Sequence, residues 1–139
     1  MASHVKDLMS TALATVDSHA SIVEAARRMR DQDVGAVIVE DDDKLVGLVT
    51  DRDIAVRAIA EERDPRETEV ARVASKQLQT LKPDDELDAA VELMRKSAVR
   101  RAPVVEGGKV VGIVSIGDLA REKDKRSALA DISKAPANS

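Results

Sequence analysis

The pattern of hydrophobic and polar positions is the same in both halves of the chain: a helical spacing comes first, and two strand-like runs follow it. An amphipathic-helix spacing of i, i+3, i+4 and i+7 occurs in the first half, at Ile22, Ala25, Ala26 and Met29. It recurs in the second half, at Leu87, Ala90, Val91 and Met94. Each half therefore predicts one helix packed on a core. Ser21-x-x-Glu24 predicts a capping box at the first helix, and Asp84 after Pro83 predicts the cap of the second.

Two β-branched runs separated by a polar turn follow each predicted helix. In the first half, residues 37–39 and 45–49 flank the acidic residues 41–43. In the second half, residues 104–105 and 110–114 flank Gly107-Gly108, a favoured hairpin turn. A further helix is predicted to start at Thr50 or Ser115. Each half thus predicts an extended leading segment, a helix, a hairpin and a helix.

The two halves are copies of one sequence repeat. Shifting the chain so that Val5 falls on Val70 makes 15 of the 51 positions from Val5 to Ala55 identical without a gap. We predict repeat 1 at 5–60, a charged linker containing Pro65 at 61–69, repeat 2 at 70–127 and a flexible tail at 128–139. One copy is too small for a good core, so the fold class is α+β with the two repeats packed about a pseudo-two-fold axis.

Composition removes several function classes. The 139 residues contain no Cys and no Phe, Trp or Tyr, and 22 Lys+Arg stand against 26 Asp+Glu for a net charge of −4. Disulfides, zinc ribbons and thiol chemistry are excluded, and bases cannot stack on aromatic rings. We therefore expect no nucleic-acid partner. The sequence shows no long apolar run and no apolar signal region, which predicts no membrane partner and a cytoplasmic location.

The sharpest local motif is Thr50-Asp51-Arg52-Asp53, echoed as Ser115-Ile116-Gly117-Asp118. In both places a predicted strand runs into a predicted helix. One interpretation is a capping box with no further role. The other is a ligand site, because free amides at a helix start favour phosphate and a carboxylate accepts hydrogen bonds from ribose hydroxyls.

These residues resemble a known family. Two copies of helix, hairpin, Gly-hydrophobic-Val-[Thr/Ser]-x-x-Asp and helix resemble a pair of CBS (cystathionine-β-synthase) domains, a Bateman module. The matching stretches are residues 45–54, 102–105 and 111–119, and the resemblance covers about Val5 to Arg121. It implies a regulatory, non-catalytic pair that needs no cofactor. Such pairs bind AMP, ADP, ATP, NAD(H) or S-adenosylmethionine as effectors in two clefts between the repeats, often as disc-shaped dimers. A homodimer that senses cellular energy and signals to a separate effector protein is therefore expected.

The resemblance also implies roles for particular residues. Asp53 and Asp118 would hold ribose hydroxyls, with Thr50 and Ser115 near ribose or phosphate. The adenine walls would be formed by Val34, Gly35, Ala36, Val99, Arg100 and Arg101. The base would be covered by Leu13, Ala14, Leu78 and Gln79. Arg52 and Ile113 complete the implied ligand-binding set.

The implied clefts are chemically unequal. One would gather Arg52, Arg100 and Arg101 with Thr50 and Asp53, whereas the other would hold no cation. We therefore predict that the arginine-bearing cleft binds a phosphorylated ligand more tightly. The sequence departs from the family pattern in two places. Ile38 stands where the family favours the proline found at Pro103, and Arg101, opposite Ala36 in the repeat, either clasps a ligand or fills the pocket.

Two alternative functions remain at this point. In a ligand-free dimerisation module, side chains would close the clefts and Thr50 and Ser115 would only cap helices. An enzyme acting on nucleotides would need a base or metal, and no motif of that kind occurs in the sequence. The acidic residues Glu40-Asp41-Asp42-Asp43 suit either a hairpin tip or a divalent cation, and we expect the hairpin tip and no metal site.

Overall fold

The computed structural model describes residues 2–124, and its elements follow the predicted order in both halves. The first half contains β1 (Thr15–Asp17), α1 (Ile22–Gln32), β2 (Ala36–Asp41), β3 (Lys44–Thr50) and α2 (Asp51–Asp53), which continues as a π-helix over Ile54–Ile59. The second half contains α3 (Leu87–Ser97), β4 (Arg101–Glu106), β5 (Lys109–Ser115) and α4, which is helical over residues 116–124. Short 3₁₀ turns at Val5–Asp7 and Val70–Arg72 form part of the two leading segments. The α+β class is confirmed.

Both predicted hairpins are present. β2 and β3 pair antiparallel, with β1 added parallel to β2 on its other side. β4 and β5 form the second antiparallel pair. The turns adopt the same left-handed backbone, with φ of 50° and 64° at Asp42 and Asp43 and of 59° and 79° at Gly107 and Gly108. Glycine adopts this conformation without a Cβ penalty, whereas the first hairpin uses two aspartates, which tolerate it better than most residues.

The described residues form two compact units that interleave along the chain. The contiguous unit is Ala12–Leu78, and the split unit combines residues 2–11 with residues 79–124. Each unit therefore takes the first part of a leading segment, residues 70–78 or 2–11, from the other sequence copy. Val70 is fully buried in the core of the contiguous unit, and Val5 is fully buried at the equivalent place in the split unit. The sequence repeats describe the duplication, whereas the units describe how the chain packs.

Equivalent residues build the two cores. Ile22, Ala25 and Val49 in the contiguous unit correspond by the repeat to Leu87, Ala90 and Val114 in the split unit, and all six are buried. In each unit, one face of the helix (α1 or α3) and both strands of the hairpin supply side chains to the core, as the helical spacing predicts.

The two predicted helix caps have different outcomes. Ser21 caps α1 as predicted, because its Oγ accepts a hydrogen bond from the Glu24 amide at 3.2 Å. The other half of the predicted capping box is not formed within residues 2–124, where the Glu24 carboxylate lies 3.9 Å from Arg28 Nη2. The prediction of Asp84 as the cap of α3 is wrong. Glu86 is the N-cap residue there, without a side-chain capping bond, and the Asp84 carboxylate instead accepts from Lys6 Nζ at 2.8 Å. The predicted tail at 128–139 and the last residues of predicted repeat 2 lie outside the described residues.

Candidate functional site

The turn at the end of β3 forms a complete capping box. Thr50 Oγ1 accepts a hydrogen bond from the Asp53 amide at 3.1 Å, and Asp53 Oδ2 accepts from the Thr50 amide at 2.9 Å. The β-branched run of β3 brings the chain to Thr50 in an extended conformation, and helical residues begin at Asp51. This reciprocal pair fixes the orientation of the Asp53 carboxylate relative to the strand end.

The turn at the end of β5 repeats this geometry. Ser115 Oγ accepts from the Asp118 amide at 3.1 Å, and Asp118 Oδ2 accepts from the Ser115 amide at 3.0 Å. Both motifs therefore form capping boxes, as the sequence predicts. The capping box uses only Oδ2 of each carboxylate, and Oδ1 lies outside it.

A guanidinium group faces each remaining carboxylate oxygen. Arg57 Nε lies 3.8 Å from Asp53 Oδ1, and the Asp53 side chain is 15% exposed. Arg121 Nη2 forms a close ion pair with Asp118 Oδ1, and the Asp118 side chain is 25% exposed. Both carboxylates are thus fixed through Oδ2, and each Oδ1 meets a guanidinium in a side chain that stays partly exposed. An ionised carboxylate oxygen held in this way accepts hydrogen bonds from hydroxyl groups.

Backbone pairing places the start of β2 or β4 beside each turn. In the contiguous unit, Ala36 pairs with Thr50, and the Gly35 carbonyl accepts from the Asp51 amide at 3.0 Å. In the split unit, Arg101 is the partner of Ser115. The Arg100 carbonyl there accepts from the Ile116 amide at 2.8 Å. Each unit therefore brings part of its implied adenine wall next to its own turn.

The other implied ligand residues lie in varied surroundings. Ala14 is 2% exposed and belongs to the core of the contiguous unit, and its carbonyl accepts from the Ile38 amide at 2.8 Å. Val34 and Val99 are half-buried residues packed against the cores of their own units. Ile113 is half-buried and exchanges two backbone hydrogen bonds with Ser10, at 2.8 and 3.0 Å.

Exposure separates the rest of the implied set. Leu13 and Leu78 are half-buried, and Gln79 is exposed. Arg52 and Arg100 are also exposed, so both guanidinium groups are open to solvent.

Sequence reasoning missed Arg57 and Arg121, the two residues that face the turn carboxylates. A signal for them existed, because arginine follows Asp53 by four residues and Asp118 by three, the spacings at which helical side chains meet.

Two further properties bear on the chemistry. Within residues 2–124, no three His, Asp or Glu side chains converge as a metal ion would require. None of the helices in that range combines the length and apolar run that crossing a bilayer requires.

Comparisons with known proteins place this geometry in context. Residues 5–59 and 70–125 each match the family model of the CBS domain. The chain is 42% identical over 135 residues to the CBS domain-containing protein YhcV of Bacillus subtilis, covering 94% of this chain and 96% of that protein.

Solved structures agree with the sequence comparison. A putative signal-transduction protein with CBS domains from Burkholderia ambifaria superposes with a TM-score of 0.79 at 28% identity, over 86% of this chain and 93% of that one. The CBS domain pair of protein MJ0100, in complex with 5′-methylthioadenosine and S-adenosyl-L-methionine, superposes with a TM-score of 0.79. Its identity is 30%, over 88% of this chain and 97% of that one.

Proposed function

Since the chain belongs to the CBS-domain family and carries two copies of the domain, we propose that it binds adenosine-containing ligands and passes their presence to a separate partner protein. CBS-domain proteins of this kind are generally regulatory rather than catalytic. The ligand acts as an effector, and no cofactor is required. AMP, ADP, ATP, NAD(H) and S-adenosylmethionine are the candidates. A non-catalytic homodimer located in the cytoplasm, serving in energy sensing, is part of the same proposal.

The observation that carries the proposal is the pair of turn carboxylates. Asp53 and Asp118 each use Oδ2 for the capping box and keep Oδ1 outside it. Vicinal ribose hydroxyls donate to such an oxygen without disturbing the cap. The MJ0100 pair, which carries two adenosine compounds, supports this ligand class by similarity.

Phosphate recognition adds a second element to the proposal. Guanidinium groups bind phosphate oxygens through paired N–H donors, so Arg52, Arg100 and Arg101 would favour a phosphorylated ligand over adenosine itself. Arg52 and Arg100 are exposed, so both side chains are accessible to a ligand without a change in the core.

A ligand-free dimerisation module is the second candidate. It is favoured by the ion pair that Arg121 makes with Asp118 Oδ1, because a guanidinium already occupies the oxygen that a ribose would use. Under this alternative, Thr50 and Ser115 act only as helix caps.

Thermal unfolding with and without millimolar ligand separates the two candidates. The readout is calorimetry or circular dichroism, because the chain has no Trp or Tyr. Ligand at about 100 times its dissociation constant adds about 2.7 kcal/mol to the free energy of unfolding, which raises the midpoint by several degrees. We expect a shift with some of the five ligands, reduced by Asp53→Ala or Asp118→Ala.

Three variants separate ligand binding from capping. Asp43→Ala removes an exposed carboxylate at the hairpin tip and is expected to leave the ligand-induced shift unchanged. Asp53→Asn and Asp118→Asn keep an oxygen for the cap but lose the charge, so they report on the ligand with the turn intact. A wild-type chain that shows no shift with any of the five ligands would instead support the dimerisation module.

A further inference from the structure

A groove lined by basic side chains lies within the contiguous unit, and none of the implied adenine-wall residues lines it. It has a volume of about 740 Å³ and lies between the π-helix and residues 69–77, a segment that includes the second 3₁₀ turn. The polar side chains along it are those of Arg57, Glu69, Arg72, Ser75, Lys76 and Gln77. We call this site the basic groove.

Three cations and one carboxylate line the basic groove. The carboxylate, Glu69 Oε1, is already engaged by His19 Nδ1 at 3.2 Å. The side chains of Arg72 and Lys76 are exposed and make no hydrogen bond or ion pair with any other residue in the range 2–124. Like charges gathered along one concavity repel each other, and an anionic ligand relieves that repulsion.

Arg57 holds a defined position at one end of the basic groove. Its Nη1 donates to the Val73 carbonyl at 3.4 Å, while its Nε lies 3.8 Å from Asp53 Oδ1. The guanidinium therefore connects the groove to the carboxylate proposed above for ribose.

The charge of the basic groove is not a requirement of the fold. The split unit has the same backbone pairing, in which Ser10 and Ile113 bond at 2.8 and 3.0 Å as Ser75 and Leu48 bond at 2.9 and 3.0 Å. The residues that correspond to the three cations are nevertheless Glu122, Asp7 and Thr11. Three positive charges in one unit thus correspond to two negative charges in the other.

We propose that the basic groove binds a chain of two or three phosphates. Guanidinium and ammonium groups are the strongest side-chain partners of phosphate oxygens, and the Ser75 hydroxyl adds a neutral donor. The phosphates come either from a free inorganic polyphosphate or from a nucleotide whose ribose lies on Asp53. For the nucleotide, the basic groove is an alternative to Arg52, Arg100 and Arg101 as the phosphate site, and the Arg100→Gln variant below separates the two. The inference rests on the proposed function only where the phosphates come from a nucleotide.

The test is calorimetric titration of the full chain with tripolyphosphate, ATP and adenosine at low ionic strength. The variant Arg72→Gln with Lys76→Gln removes both unpartnered cations. A charge-assisted hydrogen bond contributes about tenfold in affinity, so we expect the double variant to bind tripolyphosphate and ATP roughly 100-fold more weakly, with adenosine binding unchanged. Binding of tripolyphosphate by the wild-type chain should also weaken as salt rises.

A matched control is Lys44→Gln with Arg63→Gln, two exposed cations of the same unit that do not line the groove. Equal weakening in the control would show that only net charge matters and would overturn the proposal. A loss confined to Arg100→Gln would overturn it as well, since the phosphates would then be held elsewhere. The single variant Lys76→Thr introduces the residue type found at the equivalent position, Thr11, in the split unit. It should fold normally and bind tripolyphosphate about tenfold more weakly.

The two proposals fail in different ways. A wild-type chain that binds tripolyphosphate but no adenosine compound contradicts the proposed function and supports the groove. A chain that binds adenosine compounds, with tripolyphosphate showing no affinity, contradicts the groove alone.

Discussion

Arg57 follows Asp53 by four residues in the contiguous unit and faces its carboxylate at 3.8 Å, whereas Arg121 follows Asp118 by three residues in the split unit and pairs closely with it. The four capping hydrogen bonds of the two turns, by contrast, all lie between 2.9 and 3.1 Å. Duplication has kept the backbone geometry and the arginine that meets Oδ1, but it has changed the spacing of that arginine from the carboxylate and the closeness of the ion pair. Position in the fold is therefore shared by the two units, while side-chain chemistry belongs to each unit separately.

The largest expected difference in stability between the two units concerns Gly47 in β3 and Gly112 in β5, which occupy equivalent positions in the repeat. A Cβ built on Gly47 would lie 2.7 Å from the Ser75 carbonyl oxygen, whereas one on Gly112 would meet Met9 Sδ at 2.5 Å and Cγ at 2.7 Å. Backbone pairing holds Ser75, but a methionine side chain can change rotamer. We expect Gly47→Ala to lower the free energy of unfolding by about 2 kcal/mol and Gly112→Ala by about 1 kcal/mol, measured by denaturant unfolding.

Met9→Ala provides the control for the glycine comparison. Combined with Gly112→Ala, it should show a favourable coupling in a double-mutant cycle, because it removes Sδ and Cγ, the two Met9 atoms nearest the new methyl group, and leaves only Cβ at 3.0 Å. No such coupling is expected with Gly47→Ala. Equal losses of stability in the two glycine variants would contradict the distinction between backbone and side-chain contact.

An intermediate effect concerns the first residues of α1 and α3. Ser21 caps α1 through its hydroxyl, but Glu86 at the equivalent place makes no side-chain capping bond. Ser21→Ala should cost about 1 kcal/mol of stability, and Glu86→Ser should add up to a similar amount. Ser21→Thr, which keeps the acceptor, is the control in thermal unfolding. A neutral Glu86→Ser would show that the start of α3 cannot form the capping bond.

The smallest effect is a difference in pH dependence between the units. The hydrogen bond and negative charge of Glu69 raise the pKa of His19 in the contiguous unit, whereas the hydrogen bond and positive charge of Lys6 lower the pKa of Asp84 in the split unit. The His19 contribution is therefore present below about pH 6.5 and lost as pH rises through the raised pKa. The Asp84 contribution is present above about pH 3.9 and lost as pH falls through the lowered pKa.

Both pairs are exposed, so the changes in stability should be small and are best followed as NMR titrations of the side chains. Glu69→Gln should return the pKa of His19 toward its ordinary value, and Lys6→Gln should do the same for Asp84. A His19 titration that Glu69→Gln leaves unaltered would show that the pair does not form in solution.

Local features of this fold could be predicted from the sequence. Hairpins, helices and the Ser21 cap depend on spacing within about ten residues, and the structure contains all of them. The Asp84 prediction was wrong because α3 begins two residues later than predicted, with Glu86 as its N-cap, and the Asp84 carboxylate lies beside Lys6, 78 residues away in the chain. A periodic pattern carries no information about such a distant partner.

In the candidate site, too, the features that depend on a local motif could be predicted, and those that depend on tertiary packing could not. The capping interpretation of Thr50 and Ser115 followed from the motif, and the structure contains both boxes. The basic groove was not predicted, because Arg57 and Lys76 come together only through tertiary packing. Assignment of Leu13, Gln79 and the other implied ligand residues stays a prediction.

The interleaving of the two units has a consequence for how the protein is made and how it arose. A ribosome releases Ala12–Leu78 as one continuous stretch, so the contiguous unit can complete its core while the second half is still being synthesised. Val5, emerging first, has to wait for residues 79–124 before it can be buried. The arrangement is that of a segment-exchanged dimer fused into one chain: a single ancestral copy would have closed its core with the leading segment of a second molecule.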